Sequence, residues 1–452
     1  MIITTPNRKL LLSFIGFLLL IGWTANSEPL SLRTEAEFKW GGDIRLRQVA
    51  FDHIPIIADP PGVTRGGQNH FSRILTRIWG RLDLSEQVTV YSRIVNEWRH
   101  YGKGSDPNWD WPDEAVVDAL YLDVNGLLDG RLDARLGRQD LIYGTGKLIL
   151  EGTPKDGSRS LYHDAIRLRL HAPAATTVDL LGIYNQPENQ LAIGSEKRDL
   201  TGKDTAFNDM TESGGGVYLA NRHLTGLPFE AYYLYKRESS WIDRHGTNQP
   251  GRNVHTVGTR WMPETEFGLS ANIEVARQFG ETSADVDLKG WMADVVVRQQ
   301  VDQWPGKPSL GAGVYHISGD KADTERDEGW NPLWARWPQY SELYVYAFDA
   351  EAAGRWSNVT MPYVALRLHP FGDTRLNVMV AQLRAPERTG PGSGRERGWL
   401  GTARYDFTLG NRWLTDKDRL FGHLLLEVLK PGDYYNVDRT AYFARWELSY
   451  AF

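Results

Sequence analysis

Arginine recurs at alternate positions along this 452-residue chain: Arg45 and Arg47, then Arg73, Arg77 and Arg81, then Arg93 and Arg99. Arg135, Arg167 and Arg169 follow, and Arg367, Arg404 and Arg445 return to the pattern near the C-terminus. A guanidinium stays charged at any physiological pH, and its planar fork grips a carboxylate through two parallel N–H donors. A ring of such groups in a pore selects anions. The same residues can instead brace an interior, with Asp83, Glu97, Asp133, Asp406 and Glu447 as partners. In the first three segments, seven arginines share their side with only Asp83 and Glu97, an excess that favours a positively lined pore. Arg45, Arg47, Arg73, Arg77, Arg93, Arg135, Arg167, Arg404 and Arg445 are therefore candidate contacts for an anionic substrate.

Other chemistry is sparse. There is no His-Glu-x-x-His stretch and no Gly-x-Ser-x-Gly elbow, and the 11 His form no ligand pair at helical spacing. Gly144-Thr145-Gly146-Lys147 superficially resembles a phosphate-binding loop but lacks the upstream Gly and the following Ser or Thr. Zero cysteines exclude a disulfide scaffold, a thiolate metal site and a cysteine nucleophile. A net charge of −6 gives no overall basic footprint for nucleic acid. The acidic clusters Asp106, Asp110, Asp113, Glu114 and Asp320, Asp323, Glu325, Asp327 could hold Ca²⁺ through oxygen ligands. Solvated loop charge, bridged to lipopolysaccharide by divalent ions, is the preferred reading of both. No enzyme activity, cofactor or resident metal is expected.

The elements that position the arginines are strands. In Phe267–Phe279, Leu269, Ala271, Ile273 and Val275 oppose Ser270, Asn272, Glu274 and Gln278, which is the period of two of a strand with unlike faces. The same alternation at 44–47, 74–84, 88–99, 115–124, 131–140, 164–170, 177–184, 215–222, 229–237, 254–261, 288–299, 310–318, 358–368, 375–384, 399–408, 420–429 and 442–452 predicts eighteen strands in all. Eight short links, some with turn chemistry such as Asn125-Gly126 and Pro370-Phe371-Gly372-Asp373, alternate with nine long ones. That asymmetry predicts an all-β fold, a transmembrane antiparallel up-and-down β-barrel. Its turns would be short on the periplasmic side and its loops long outside, with both termini periplasmic. A soluble propeller or two-domain sandwich would show a blade-length repeat or links of similar length on both sides, and neither is found.

Only the outward face of such a strand has to be apolar. This reconciles 24% charged residues and a mean hydropathy of −0.44 with a membrane protein. The 17 Trp, 20 Tyr and 15 Phe then find places in two interfacial girdles, with Trp446, Tyr450 and Phe452 as examples. At the other end, Arg8-Lys9, the apolar run Leu10–Ile21 and the triplet Ala25-Asn26-Ser27 form the three parts of a secretory signal peptide. Residues 1–27 are the expected signal peptide and 28–452 the expected barrel domain. The alternative, an N-terminal anchor, needs about 20 apolar residues. The expected location is the Gram-negative outer membrane, in contact with its lipid and lipopolysaccharide.

The segment Gly137-Arg138-Gln139-Asp140-Leu141-Ile142-Tyr143-Gly144-Thr145-Gly146-Lys147-Leu148-Ile149, followed by Asp164-Ala165-Ile166-Arg167-Leu168, resembles the central part of the bacterial alginate-export outer-membrane barrels. So do Ser318-Gly319-Asp320-Lys321 ahead of an aromatic loop (Trp330, Asn331-Pro332-Leu333-Trp334, Pro338) and the opening Gly42-Asp43-Ile44-Arg45-Leu46-Arg47. The resemblance implies an eighteen-stranded monomeric barrel with a constricted, arginine-rich lumen that passes a polyuronate outward. It also implies a periplasmic lipoprotein of helical repeats that hands over the polymer. Matched strand by strand, it adds Arg138 to the candidate set and points to Arg47, Arg77, Arg135 and Arg445 at the constriction. The chain departs from the family pattern at Leu148–Pro154, where an aromatic is expected.

The expected function is an anion-selective porin that passively exports an acidic exopolysaccharide, an alginate-like polyuronate. The alternative is a specific or general porin for uptake of small anionic sugars or organic acids. A barrel enzyme such as a lipid hydrolase would need a Ser/His/Asp set on the rim, which is not seen.

Overall fold

The computed structural model describes residues 36–53, 69–102, 109–110, 115–150, 162–187, 191–193, 210–224, 226–242, 247–335, 340–343, 357–412 and 415–452. The expected signal peptide and the boundary at Glu28 lie outside the described residues. Eighteen long strands follow one another: β1 Glu37–Asp52, β2 Asn69–Asp83, β3 Val88–Tyr101, β4 Ala115–Gly126, β5 Leu132–Gln139 and β6 His163–Ala172. Then come β7 Thr176–Asn185, β8 Glu212–Asn221, β9 Phe229–Glu238, β10 Arg252–Trp261, β11 Leu269–Thr282 and β12 Trp291–Gln300. The last six are β13 Ser309–Ile317, β14 Val359–Leu368, β15 Arg375–Arg384, β16 Glu396–Asn411, β17 Arg419–Pro431 and β18 Ala441–Ala451.

Each strand pairs antiparallel with its neighbours in sequence, and β1 closes the sheet onto β18, with Arg47 opposite both Arg73 and Glu447. A closed sheet leaves no unpaired edge, which hydrocarbon would not tolerate. The Cα partners carry the alternation from strand to strand. Ile44, Leu46, Ile78, Ile94, Leu180, Val257, Val297, Leu424 and Leu426 are exposed on the outer face. No helix among the described residues is long and apolar enough to cross a membrane; the strands do so.

Aromatics mark both borders of the apolar band. Phe38, Trp40, Phe267, Trp304 and Phe371 are exposed at the short-turn end, and Phe279, Trp291, Trp399 and Tyr442 towards the long-loop end. The terminal Phe452 exchanges backbone hydrogen bonds with Gly42 (3.0 and 2.9 Å) and sets its ring edge-on to Trp40, 6.2 Å between centroids. Strand β1 is far longer than the expected 44–47. Gly41 and Gly42 have no side chains to continue the pattern, and a Cβ at Gly41 would fall 2.5 Å from the Phe452 carbonyl oxygen.

The lumen is not lined by polar side chains alone. Two inward-folded loop segments, residues 140–150 and 330–335, pair in parallel through Ile149–Trp334 and Leu150–Ala335. Leu141, Leu148, Ile149, Trp330, Leu333 and Trp334 are buried with Leu234, Val254, Met292, Ile317, Val359 and Met361 of the wall. A hydrophobic core thus sits inside the barrel against β9–β14.

The Gly-Arg-Gln segment of β5 proves to be a structural device. A bulge in β4 between Val117 and Ala119 leaves Asp118 as the extra residue opposite β3. Gly137 lies beside it at φ 121°, where a Cβ would come 2.3 Å from the Leu120 carbonyl oxygen. Gly137→Ala should therefore cost about 2 kcal/mol or more, seen as a lower midpoint for loss of the compact, heat-modifiable band in gel electrophoresis.

Candidate functional site: the arginine-lined lumen

Inward positions follow from the register. Arg47 of β1 lies opposite Glu447 of β18 on one side and Arg73 of β2 on the other, and Arg45, Arg77 and Arg445 share that inward face; Arg93, Arg135 and Arg167 continue around the wall on β3, β5 and β6. Arg404 on β16 faces inward beside Asp406. Arg138 does not belong to this ring. Three residues from Arg135, it falls on the opposite face of β5, level with outward Leu120. There it binds Asp164 (2.9 Å), donates to the Val117 carbonyl of the bulge (2.8 Å), and lies 3.6 Å over the Tyr162 ring. These contacts brace the β4 bulge.

Most of the inward arginines are paired with carboxylates. Arg47 meets Glu447 at 2.7 Å through Nε and 2.5 Å through Nη2, across the strand seam that closes the barrel. Arg77 meets Asp43 (2.8 Å), Arg93 meets Asp118 (2.8 Å) and Asp140 (3.0 Å), and Arg135 meets Asp123 (2.6 Å). Arg404 binds Asp406 at 2.8 Å; Arg45 lies 3.8 Å from both Glu97 and Glu447, and Arg73 3.9 Å from Glu97. The apparent excess of arginine over acid in the first three strands is thus corrected. Asp43 on β1 and the bulge residue Asp118 also face inward, and neighbouring strands supply Asp123 and Glu447. Arg167 is different: among the described residues it has no carboxylate partner, and it stands between Arg135 and Arg169. The side chain of Arg99 lies outside the described residues.

Pairing does not neutralise the surface that a solute meets. In several pairs that border the lumen water the arginine side chain is more exposed than the acid it binds on the wall. Arg169 is 35% exposed against 3% for Asp179, Arg93 15% against 0% for Asp118, and Arg77 29% against 17% for Asp43. Asp140, the second partner of Arg93, is 32% exposed and stays on the water side. Arg47 and Arg445 are exceptions, at 1% each, and are locked into the wall.

The opposite wall holds the inward loops, an arrangement that no local sequence signal announced. Tyr143 donates to Asp179 (2.6 Å), Thr145 to Glu274 (3.0 Å), and Lys147 pairs with Asp294 at 2.6 Å. The phosphate-loop look-alike is thus a turn whose lysine anchors to the wall. Tyr340 also donates to Asp294 (2.8 Å), Ser341 and the Leu343 amide to Glu427 (2.5 and 2.9 Å), and Glu342 pairs with Arg445 at 2.8 Å. Lys236 donates to the Leu333 carbonyl (2.5 Å) while paired with Glu212 and Glu238. Burial, and then the charge of Asp179 or Asp294, pushes the Tyr143 and Tyr340 hydroxyls well above their ordinary range, so both remain donors. The acids of this wall are covered by loop, whereas the arginines of β1–β6 border the open side. Among the described residues no three His or carboxylate side chains converge as metal ligands; Asp106, Asp113 and Glu114 lie outside them.

Asp294 holds both Lys147 of the 140–150 segment and Tyr340. Asp294→Asn leaves Lys147 buried without its counter-charge, at a cost of about 3 kcal/mol. The expected outcome is a lower unfolding midpoint in denaturant together with a larger and noisier single-channel conductance.

A family model described as alginate export matches residues 81–389. No curated protein matches the chain. Solved structures with this fold include the outer membrane protein opdK of Pseudomonas aeruginosa, 10% identical with a TM-score of 0.57, covering 93% of this chain and 100% of that one. OccK2 (OpdF) of the same organism, solved in complex with glucuronate, is 12% identical with a TM-score of 0.52, covering 91% and 97%. OccAB4 of Acinetobacter baumannii is 10% identical with a TM-score of 0.54, covering 94% and 100%. At these identities the likeness is one of fold. With the family match over most of the barrel, it places the protein in the outer membrane as a porin-type channel. The chain belongs to the alginate-export family.

Proposed function

We propose that the protein is an anion-selective porin that passes an alginate-like polyuronate outward, one carboxylate after another along the arginine wall. The observation that carries this reading is the exposure of charge in the lumen: Arg77, Arg93 and Arg169 are each more exposed than Asp43, Asp118 and Asp179, which they bind, and Arg167 has no carboxylate partner among the described residues. A uronate carboxylate arriving at this surface exchanges hydration for N–H donors. Because the paired arginines keep their own acids nearby, the added contact stays weak enough to release, which conduction through successive sites requires. Arg77, Arg93, Arg135, Arg167 and Arg404 fit this role. Arg45 and Arg73 lie deeper, and Arg47 and Arg445 hold the wall and the loop.

Delivery by a periplasmic lipoprotein of helical repeats, cleavage of a signal peptide at residue 27 and the absence of catalysis belong to the same proposal. Uptake of single uronates is the second reading. It is supported by the glucuronate bound to OccK2 (OpdF) and by the inward loops that narrow the lumen here.

Block of single-channel current by oligo-uronates separates the readings. The export reading expects block that strengthens with oligomer length, and Arg167→Gln should weaken it about tenfold, since one hydrogen bond to a charged group contributes roughly 1.5–3 kcal/mol. Equal block by the monomer and the long oligomer favours uptake of small solutes. Wild-type block in the Arg167→Gln channel removes Arg167 from the path.

A further inference from the structure

A second charged feature lies outside the barrel, at its long-loop rim. Arg277 is outward on β11, level with Trp291 at the start of β12, and His316 is outward near the end of β13. Their rings form a floor, with Trp291 and His316 centroids 4.0 Å apart and His316 held by Thr360 at 2.8 Å. Lys289, Lys321 and Arg326 from the adjoining loops complete a groove of about 430 Å³. Four cations thus line it against two acids, Glu328 and Glu387. Both acids have partners of their own: Glu328 accepts from Thr324 (2.8 Å), and Glu387 lies 3.6 Å from Arg395. Asp287 reaches Lys289 and Arg326 only at 3.9 Å. Among the described residues, Arg277 and Lys321 have no ion pair at all.

The height of the groove says what it meets. Val275, Phe279 and Val314 beside it are exposed members of the lipid-facing band, so an occupant has its apolar part below and its charged part among these cations. At the outer rim of an outer membrane the anions at that level are phosphates on the glucosamine headgroup of lipopolysaccharide. A phosphate offers several acceptor oxygens to Arg and Lys donors, while Trp291 presents an amphipathic ring at the border.

We propose that this groove is a binding site for the phosphorylated glucosamine headgroup of outer-leaflet lipopolysaccharide, with Arg277 and Lys321 as its principal contacts. The site is separate from the lumen and does not depend on what the channel carries. Binding is measured on the full-length protein in detergent micelles containing EDTA, which removes bridging divalent ions, by native mass spectrometry with bisphosphorylated lipid A and with dephosphorylated lipid A. The bisphosphorylated form should bind at least about tenfold tighter. R277Q/K321Q should lose that preference while R277K keeps most of it, with all variants retaining heat-modifiable gel mobility and wild-type ion selectivity. Equal binding of the two lipids, or an undiminished preference in R277Q/K321Q, overturns the assignment. Displacement of the lipid by millimolar inorganic phosphate overturns the commitment to a lipid headgroup.

Discussion

Hydrocarbon offers backbone N–H and C=O groups no partners, so a chain that spans it with strands must close its sheet upon itself. That closure governs the rest of this molecule. Once β1 meets β18, side chains alternate between lipid and lumen, and every polar residue of a spanning segment has one side available. The seam shows the consequence directly: Arg47 and Glu447 are opposite one another, and their ion pair lies inside the wall next to the backbone ladder that closes the barrel. Breaking a buried pair by removing one partner is far more costly than either charge contributes in water. Closure and interior charge are therefore linked in one structure.

The lumen applies the same economy of charge in two ways. On β7–β13 and β17 the acids point at loop residues. Asp179, Glu274, Asp294 and Glu427 hold Tyr143, Thr145, Lys147, Tyr340 and Ser341, so negative charge is spent on fixing the inward loops. On β1–β6 the arginines that bind Asp43, Asp118 and Asp123 are each more exposed than those acids. A chain with net charge −6 can therefore present a positive channel surface. The total charge describes the molecule poorly; the depth of each charge describes the pathway.

The strands were legible because alternation is a local property, and all eighteen lie where the pattern puts them, with the two-glycine start of β1 as the largest departure. The alternation of short and long links carried the topology for the same reason. The candidate site was only half legible. The side of a strand on which an arginine lies follows from parity, and parity alone puts Arg138 on the other face from Arg135. Whether an inward arginine meets water or an acid depends on the partner strand and on bulges such as the one at Asp118, which no single segment encodes. The inward loops were still less visible, because Ile149 and Trp334 are 185 residues apart in sequence and meet only once the barrel has formed. Leu148 and Ile149, within the stretch that departs from the family pattern in sequence, are the apolar surface that packs there.

The central claim is that the lumen is electropositive to a passing ion although its arginines are paired. The most direct measurement is the reversal potential of the refolded protein in a planar bilayer under a salt gradient. The account predicts a potential of the sign set by chloride, reduced in Arg167→Gln. A potential of the sign set by potassium would show that the buried carboxylates, and not the arginines above them, control the path.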